Sequence, residues 1–352
     1  MHELAGKKIL ILRTDRLGDV ILSTPVASAI KKRFPKSKIT FLVRQYTQQL
    51  VENCADIDEA ISIETFFNDK QKLSIQKLAR FLRRQQFDMA IHLFPRPGLA
   101  LATFLARIPV RVGMGYRFYS LLFNRRQYEH RKNAVFHEVE YNLRLLNPVE
   151  IFEKKAAFDF RLDQNAREKI DRIFKSSGIC ETQQIVILHP GSGGSSRNWP
   201  LSNFARLAQK LIEEKNALII FTGTAEEKPE TDWLAAKAGM KPMSLAGRLN
   251  LIELAALLKR ADIFVANSTG PLHLAVAMGT EVVAFYPPIT ACRPERWGPY
   301  GRRNDVLMSR EAECYDCRNA KTNLVCACME KISVQEAYEK VCEKLVSARI
   351  PS

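Results

Sequence analysis

Apolar residues recur along this chain in two successive rounds of short strand-length runs, each followed by a stretch with helical spacing. Lys7 to Leu12 is a continuous apolar run, and Arg13 to Asp19 (RTDRLGD) is a polar turn. Val20 to Arg33 has the spacing of an amphipathic helix, interrupted by Pro25; Pro35-Lys36-Ser37 ends it, and Ile39 to Val43 is the next strand. Strand, helix, strand in this order is the unit of a parallel sheet covered by helices. The pattern continues with a strand at Glu59 to Ile63, a helix over Lys72 to Gln85, a strand at Met89 to Leu93 and a helix over Val135 to Leu146. Residues 95–135 lack a clean period and are expected to form loops with short helices, while Asn147 to Leu162 has the composition of a linker.

The second round opens with a polar helix, Gln164 to Lys175, and a strand at Ile185 to Leu188. A loop rich in glycine and serine, His189 to Ser196, precedes Trp199-Pro200 and a helix over Asn203 to Glu213. Further strands are expected at Ala217 to Phe221, Ile263 to Ala266 and Val282 to Phe285. Helices are expected at Ala225 to Ala238, Leu251 to Arg260 and, last, Val334 to Ala348. After Ala266 come Asn267, Ser268, Thr269 and Gly270, then Pro271 and a helical run closed by Gly279. A small-residue turn between strand and helix aims backbone N–H groups and a positive dipole end at an anion.

With 352 residues, 46% of them apolar, and a mean hydropathy of −0.17, the chain has material for two soluble domains. No apolar run approaches a membrane span, and the first residues lack the layout of a signal peptide, so the expected location is the cytoplasm. Net charge is +15 and uneven: residues 1–150 carry 25 Lys+Arg against 14 Asp+Glu. Between Arg80 and Lys132 stand eleven basic residues against Asp88 and Glu129, which points to an anionic partner. Eight cysteines without secretory context argue against a disulfide framework. Cys314, Cys317, Cys326 and Cys328 cluster; the first pair has metal-site spacing, the second is tighter, and thiols in a surface loop are the expectation.

Three loops fall at the C-terminal ends of predicted strands, where open α/β sheets bind ligands: Arg13 to Asp19, His189 to Arg197 and Asn267 to Gly270. In HPGSGGSSR, Ser192 and Gly193 belong to a backbone that can approach a phosphate closely, and Arg197 adds a positive fork; the motif is neither a P-loop nor a dinucleotide fingerprint. His273 lies in the first turn of the following helix, placed either to donate to a phosphate or to pack on its neighbours. Asp19 begins a helix, where Asp ordinarily caps; the alternative is a general base, and Asp15 competes for that role.

Four blocks carry a family resemblance: KILILRTDRLGDVILSTPVASAIKKRFP, ILHPGSGGSSRNWPLSNFARLAQKL, FTGTAEEK and NSTGPLHLAVAMGT. The chain resembles the family-nine glycosyltransferases, among them the ADP-heptose:lipopolysaccharide heptosyltransferases, over nearly its whole length. The resemblance implies an α/β fold of the GT-B type. A Rossmann-like acceptor domain (1–160) and a Rossmann-like donor domain (161–330) would face a central cleft, with a C-terminal segment (331–352) crossing back to the first domain. It further implies that Asp19 is the catalytic base. Arg197 would meet the donor diphosphate, where heptosyltransferases carry Lys. Glu227 would meet the nucleoside, and Thr269, Gly270 and His273 the diphosphate. Ser268 stands where heptosyltransferases commonly have Asp against the sugar, which bears on the donor's identity. Arg16, Arg96, Arg117 and Arg125 are the candidates for an anionic acceptor.

The implied reaction is inverting transfer of a sugar from a nucleotide sugar, with ADP-heptose the first candidate, to a lipopolysaccharide precursor. No cofactor and no metal are expected, since no Asp-x-Asp pair occupies the central loops. The partners expected are the nucleotide sugar, the anionic precursor and the cytoplasmic face of the inner membrane. A nicotinamide-dependent oxidoreductase is disfavoured by the missing GxGxxG after the first strand. A nucleic-acid binder is suggested by charge alone, without an RNA-module signature, and nucleic acid is not an expected partner.

Overall fold

The computed structural model describes residues 6–94, 96–179, 183–239, 242–309 and 326–347. The chain divides into two compact units, Met1–Arg161 and Leu162–Ser352.

The first unit holds a six-stranded sheet in the order β3-β2-β1-β4-β5-β6. Its strands are β1 Lys8–Leu12, β2 Lys38–Val43, β3 Glu59–Ser62, β4 Met89–His92, β5 Val110–Met114 and β6 Arg125–Gln127. The second unit repeats the plan, β12-β11-β10-β7-β8-β9. Its strands are β7 Ile185–His189, β8 Leu218–Phe221, β9 Met243–Ser244, β10 Ile263–Asn267, β11 Glu281–Tyr286 and β12 Val306–Met308. Every pairing is parallel. Counted from its own first strand, each sheet has the doubly wound order 3-2-1-4-5-6, which places a topological switch between β1 and β4 and another between β7 and β10. The central strands read as unbroken apolar runs because helices cover both faces: Ile9 to Leu12 and Ile263 to Ala266 are fully buried.

The helix expected over Val20 to Arg33 is two: α1 Leu17–Ile21 and α2 Pro25–Arg33. Pro25 cannot donate in a helix interior, so it opens the second piece instead. The aperiodic stretch 95–135 is more regular than expected, with α5 Pro97–Leu105, β5 and β6. Its strands escaped detection because β6 is a short edge strand of charged and polar residues, Arg-Arg-Gln. The helix Val334–Ser347 buries Ala337, Tyr338, Val341 and Leu345 in the core of the second unit, with Trp199, Phe204 and Phe285. Its apolar face is taken up by the second sheet. Among the described residues no helix is long and apolar enough to cross a membrane.

Candidate functional site

Beyond the C-terminal end of β1, Arg13 is 1% exposed and distributes its guanidinium among three carboxylates. Nε donates to Asp15 Oδ1 at 2.8 Å, Nη2 donates to Asp19, and Nη1 donates to Glu138 Oε1 at 3.2 Å and to Asn142 Oδ1 at 3.4 Å. Glu138 and Asn142 come from α6 Glu138–Arg144 and are themselves buried. Asn142 Nδ2 is held by Leu22 O (3.0 Å) and Ser23 Oγ (3.2 Å), and Arg131 Nη1 donates to both Asn142 and Glu138. Burial works against the charge of Arg13, but the three carboxylates outweigh it and raise its pKa above the ordinary value. Asp15 is pushed up to about 6, by burial first; Asp19 adds to that rise and Arg13 opposes it.

Asp19 is not a helix cap. The N-cap of α1 is Arg16, which makes no side-chain cap bond, and Asp19 sits in the first turn with its Oδ1 on Arg13. Its side chain is 18% exposed, and Oδ2 has no hydrogen bond among the described residues. Asp15 is more enclosed, its side chain 13% exposed, and its Oδ1 likewise accepts from Arg13. Phe94, just after β4, has two guanidinium groups over its ring, Arg13 at 5.7 Å and Arg96 at 5.3 Å from the centroid. Arg96 is thereby brought beside the Arg13 cluster, and exposed Arg16 adjoins it in the chain. Arg117 follows β5 on the same edge of the sheet. Arg125 lies elsewhere: it opens edge strand β6 opposite Val112, three strand spacings or roughly 14 Å from β1.

In the second unit, the loops after β7 and β10 are stitched together. Asn267, fully buried at the end of β10, accepts from Trp199 N–H at 2.8 Å and donates to Pro190 O at 2.6 Å. Ser195 Oγ donates to Ser268 O at 2.9 Å. Trp199 anchors the far end of the loop, stacked on Phe285 with centroids 4.2 Å apart and donating Nε1–H to Ile332 O at 2.8 Å. Between these anchors, Ser192 to Ser195 form a tight turn in which Gly193 (φ 54°) and Gly194 (φ 72°) are both left-handed, a conformation that favours glycine. Ser192 is buried, and its Oγ donates to Ser196 O at 3.3 Å. Thr269 is the extended N-cap of α11 Gly270–Ala277, so Gly270 leads the helix and Pro271 is its second residue; His273 is 5% exposed in the first turn.

Glu227 joins this group from the loop after β8. Its Oε2 accepts from Thr224 N–H at 2.8 Å, and its carboxylate lies so close to Gly191 that a Cβ there would fall 1.9 Å from Oε1. His189, at the end of β7, contacts Thr222 Oγ1 through Nδ1 at 3.0 Å; burial lowers its pKa to about 4, against the opposing pull of Glu227. The second unit thus brings Ser192, Gly193, Arg197, Ser268, Thr269, Gly270 and His273 onto two joined loops and a helix start, with Glu227 against them. Such a strand-end cradle with a helix N-terminus suits a phosphate-bearing ligand.

Residues 75–327 match the model of glycosyltransferase family 9 (heptosyltransferase). The chain belongs to that family. This glycosyltransferase is 30% identical over 316 residues to a provisionally named glycosyltransferase of Haemophilus influenzae, covering 85% of this chain and 87% of the relative. It is 26% identical over 285 residues to lipopolysaccharide heptosyltransferase 3 of Escherichia coli K12, covering 76% and 79%. Its fold is that of E. coli ADP-heptose lps heptosyltransferase II, with a TM-score of 0.80 at 20% identity over 97% of this chain and 100% of that one. The chain is therefore an enzyme of the heptosyltransferase-like glycosyltransferase class.

Several residues escaped sequence reasoning. Arg13 had one signal, a charge directly after a run of buried strand residues. Glu138 and Asn142 had none, Arg131 stood out only as one of the basic residues between Arg80 and Lys132, and Asn267 reads as part of a loop. Cys326 and Cys328 are buried rather than in a surface loop, with their Sγ atoms 2.9 Å apart, because Cys326 and Cys328 help fill the core under Trp199. Cys314 and Cys317 lie outside the described residues.

Proposed function

We propose that this glycosyltransferase moves a heptose from ADP-heptose onto a lipopolysaccharide core precursor at the cytoplasmic face of the inner membrane, with inversion at the anomeric carbon. The observation that supports the donor half is the joined pair of loops at the start of α11, braced by Asn267 and Ser195. The names of the relatives support heptose and the lipopolysaccharide acceptor.

In this reading Asp19 takes the proton of the acceptor hydroxyl, which is a poor nucleophile until a base accepts that proton. Its unoccupied Oδ2 is the accepting atom, and Arg13 fixes the carboxylate through Oδ1. The anomeric carbon gains oxocarbenium character as the nucleotide departs. Negative charge then grows on the diphosphate, and Arg197 with the N–H groups from Thr269 to His273 stabilises it, a preorganised electrostatic effect. Ser192 and Gly193 line the diphosphate, Glu227 binds the nucleoside and Ser268 faces the sugar. Arg16, Arg96 and Arg117 receive the anionic acceptor; Arg125 meets a more distant part of it. No metal and no cofactor take part.

Ser268 favours one second reading. A serine reaches less far than the Asp of heptosyltransferases, so a donor with a different sugar on the same nucleotide cradle is the alternative. Calorimetry with ADP, UDP and GDP tests the nucleotide, and product formation from ADP-heptose tests the sugar. Tight ADP binding that is weakened by Arg197→Ala is expected. A preference for UDP or GDP would overturn the ADP-heptose assignment while leaving the family unchanged.

A further inference from the structure

Helix α5 is apolar all the way round. Leu99, Ala100, Ala102 and Thr103 fill its inner face, while Leu101, Phe104 and Leu105, at spacing i, i+3, i+4, are 36%, 46% and 39% exposed. A surface helix ordinarily turns polar residues outward. Beside it, the short helical turn Phe118–Leu122 leaves Phe118 84% and Leu121 79% exposed. The two segments form one surface. Ala100 clusters with Tyr119 and Phe123, and Arg111 ties the edge together: its guanidinium lies 5.4 Å from the Phe104 ring centroid and its Nε donates to Leu122 O at 2.8 Å. Soluble monomers rarely leave contiguous apolar surface of this kind without a partner.

The rim of this patch is basic. Arg107, Arg117 and Arg125 are exposed, and none forms an ion pair with a carboxylate among the described residues. The acids of this stretch are engaged elsewhere, Asp88 with Lys7 and the backbone N–H of Lys8, and Glu129 with Arg144.

We propose that Leu101, Phe104, Leu105, Phe118 and Leu121 insert below the headgroup level of an anionic bilayer, with the rim arginines at the lipid phosphates. This rests on the reading that the acceptor is membrane-borne, and it adds a defined surface and a mode of attachment: apolar insertion as well as charge. Exposed Leu and Phe side chains ringed by arginine suit a surface that offers an apolar layer beneath a negative one. A second copy of this chain would set the same unpaired arginines against each other, at an electrostatic cost. Nucleic acid offers phosphates but no apolar layer for Leu101, Leu105 and Leu121.

The test is co-sedimentation of the full chain with vesicles of phosphatidylethanolamine and phosphatidylglycerol, and with phosphatidylcholine alone, at low salt and at high salt. The expected result is binding to the anionic vesicles that persists in part at high salt. The Phe118→Ser/Leu121→Ser variant should lose about tenfold or more in partitioning, with an unchanged thermal midpoint and unchanged ADP affinity. Arg107→Glu should weaken binding at low salt. Three outcomes overturn the proposal: wild-type-like partitioning of the double variant, no wild-type binding to anionic vesicles, or a dimer in solution that the double variant dissolves. Because ADP affinity is measured on the same samples, failure of the donor reading shows separately from failure of membrane insertion.

Discussion

Arg13 Nη1 donates to Glu138 Oε1 at 3.2 Å across 125 positions of sequence, and the same guanidinium holds Asp19. The candidate base is therefore oriented by a helix that lies far from it in the chain. Breaking one partner of a buried charged group leaves the others uncompensated, and the loss is large, about 3–5 kcal/mol. Glu138→Leu is expected to lower unfolding free energy by an amount of that order, measured by urea denaturation. Glu138→Gln, which keeps the shape and an acceptor oxygen, should retain most of the stability and lose activity mainly in kcat.

Asp19 and Asp15 share Arg13, and Asp19 is the more exposed of the two. Asp19→Asn is expected to reduce kcat by about 10²–10⁴-fold, the usual worth of a general base, with ADP affinity unchanged. Asp15→Asn should cost much less. A larger loss from Asp15→Asn would transfer the role to that residue.

Gly191 makes room for Glu227. Gly191→Ala is expected to displace that carboxylate and raise the KM for the donor by about 10–100-fold, as for loss of one hydrogen bond to a charged group. Glu227→Ala should raise it similarly, and the double variant should be no worse than either single one. Additive losses in the double variant would show that Gly191 acts without Glu227.

Two buried imidazoles make stability depend on pH. Burial lowers His92 to about 3 and His189 to about 4, below the ordinary 6.5. Between those values and 6.5 the unfolded chain binds protons that the folded chain does not, so stability is full above 6.5 and falls as pH drops. Each histidine should remove about 2 kcal/mol between pH 6.5 and 5, on 1.36 kcal/mol per unit. Denaturant midpoints at pH 7 and pH 5 measure the sum. His189→Asn, which still offers Thr222 a partner but cannot titrate, should flatten part of the slope.

Transfer without a metal predicts activity that survives EDTA. An EDTA-sensitive rate restored by a divalent cation would place a metal in the mechanism.

The sequence by itself determined what depends on local pattern. Continuous apolar runs separated by amphipathic stretches set two parallel-sheet units, because strands buried on both faces carry no polar alternation. Small-residue turns at strand ends marked the loops at His189 to Arg197 and Asn267 to Gly270, since such conformations restrict residue type locally. The tertiary structure decided everything carried by residues distant in sequence. Glu138 and Asn142 look like ordinary helix residues until the fold brings them to Arg13. Asn267 looks like a loop residue until it is seen joining Trp199 to Pro190. The exposed stripe of α5 was hidden because residues 95–135 show no clean period, and only its place at the surface reveals the unpartnered face. Local pattern records which face of an element is apolar; which distant side chain meets it is fixed by packing, whose partners leave no periodic trace in the sequence.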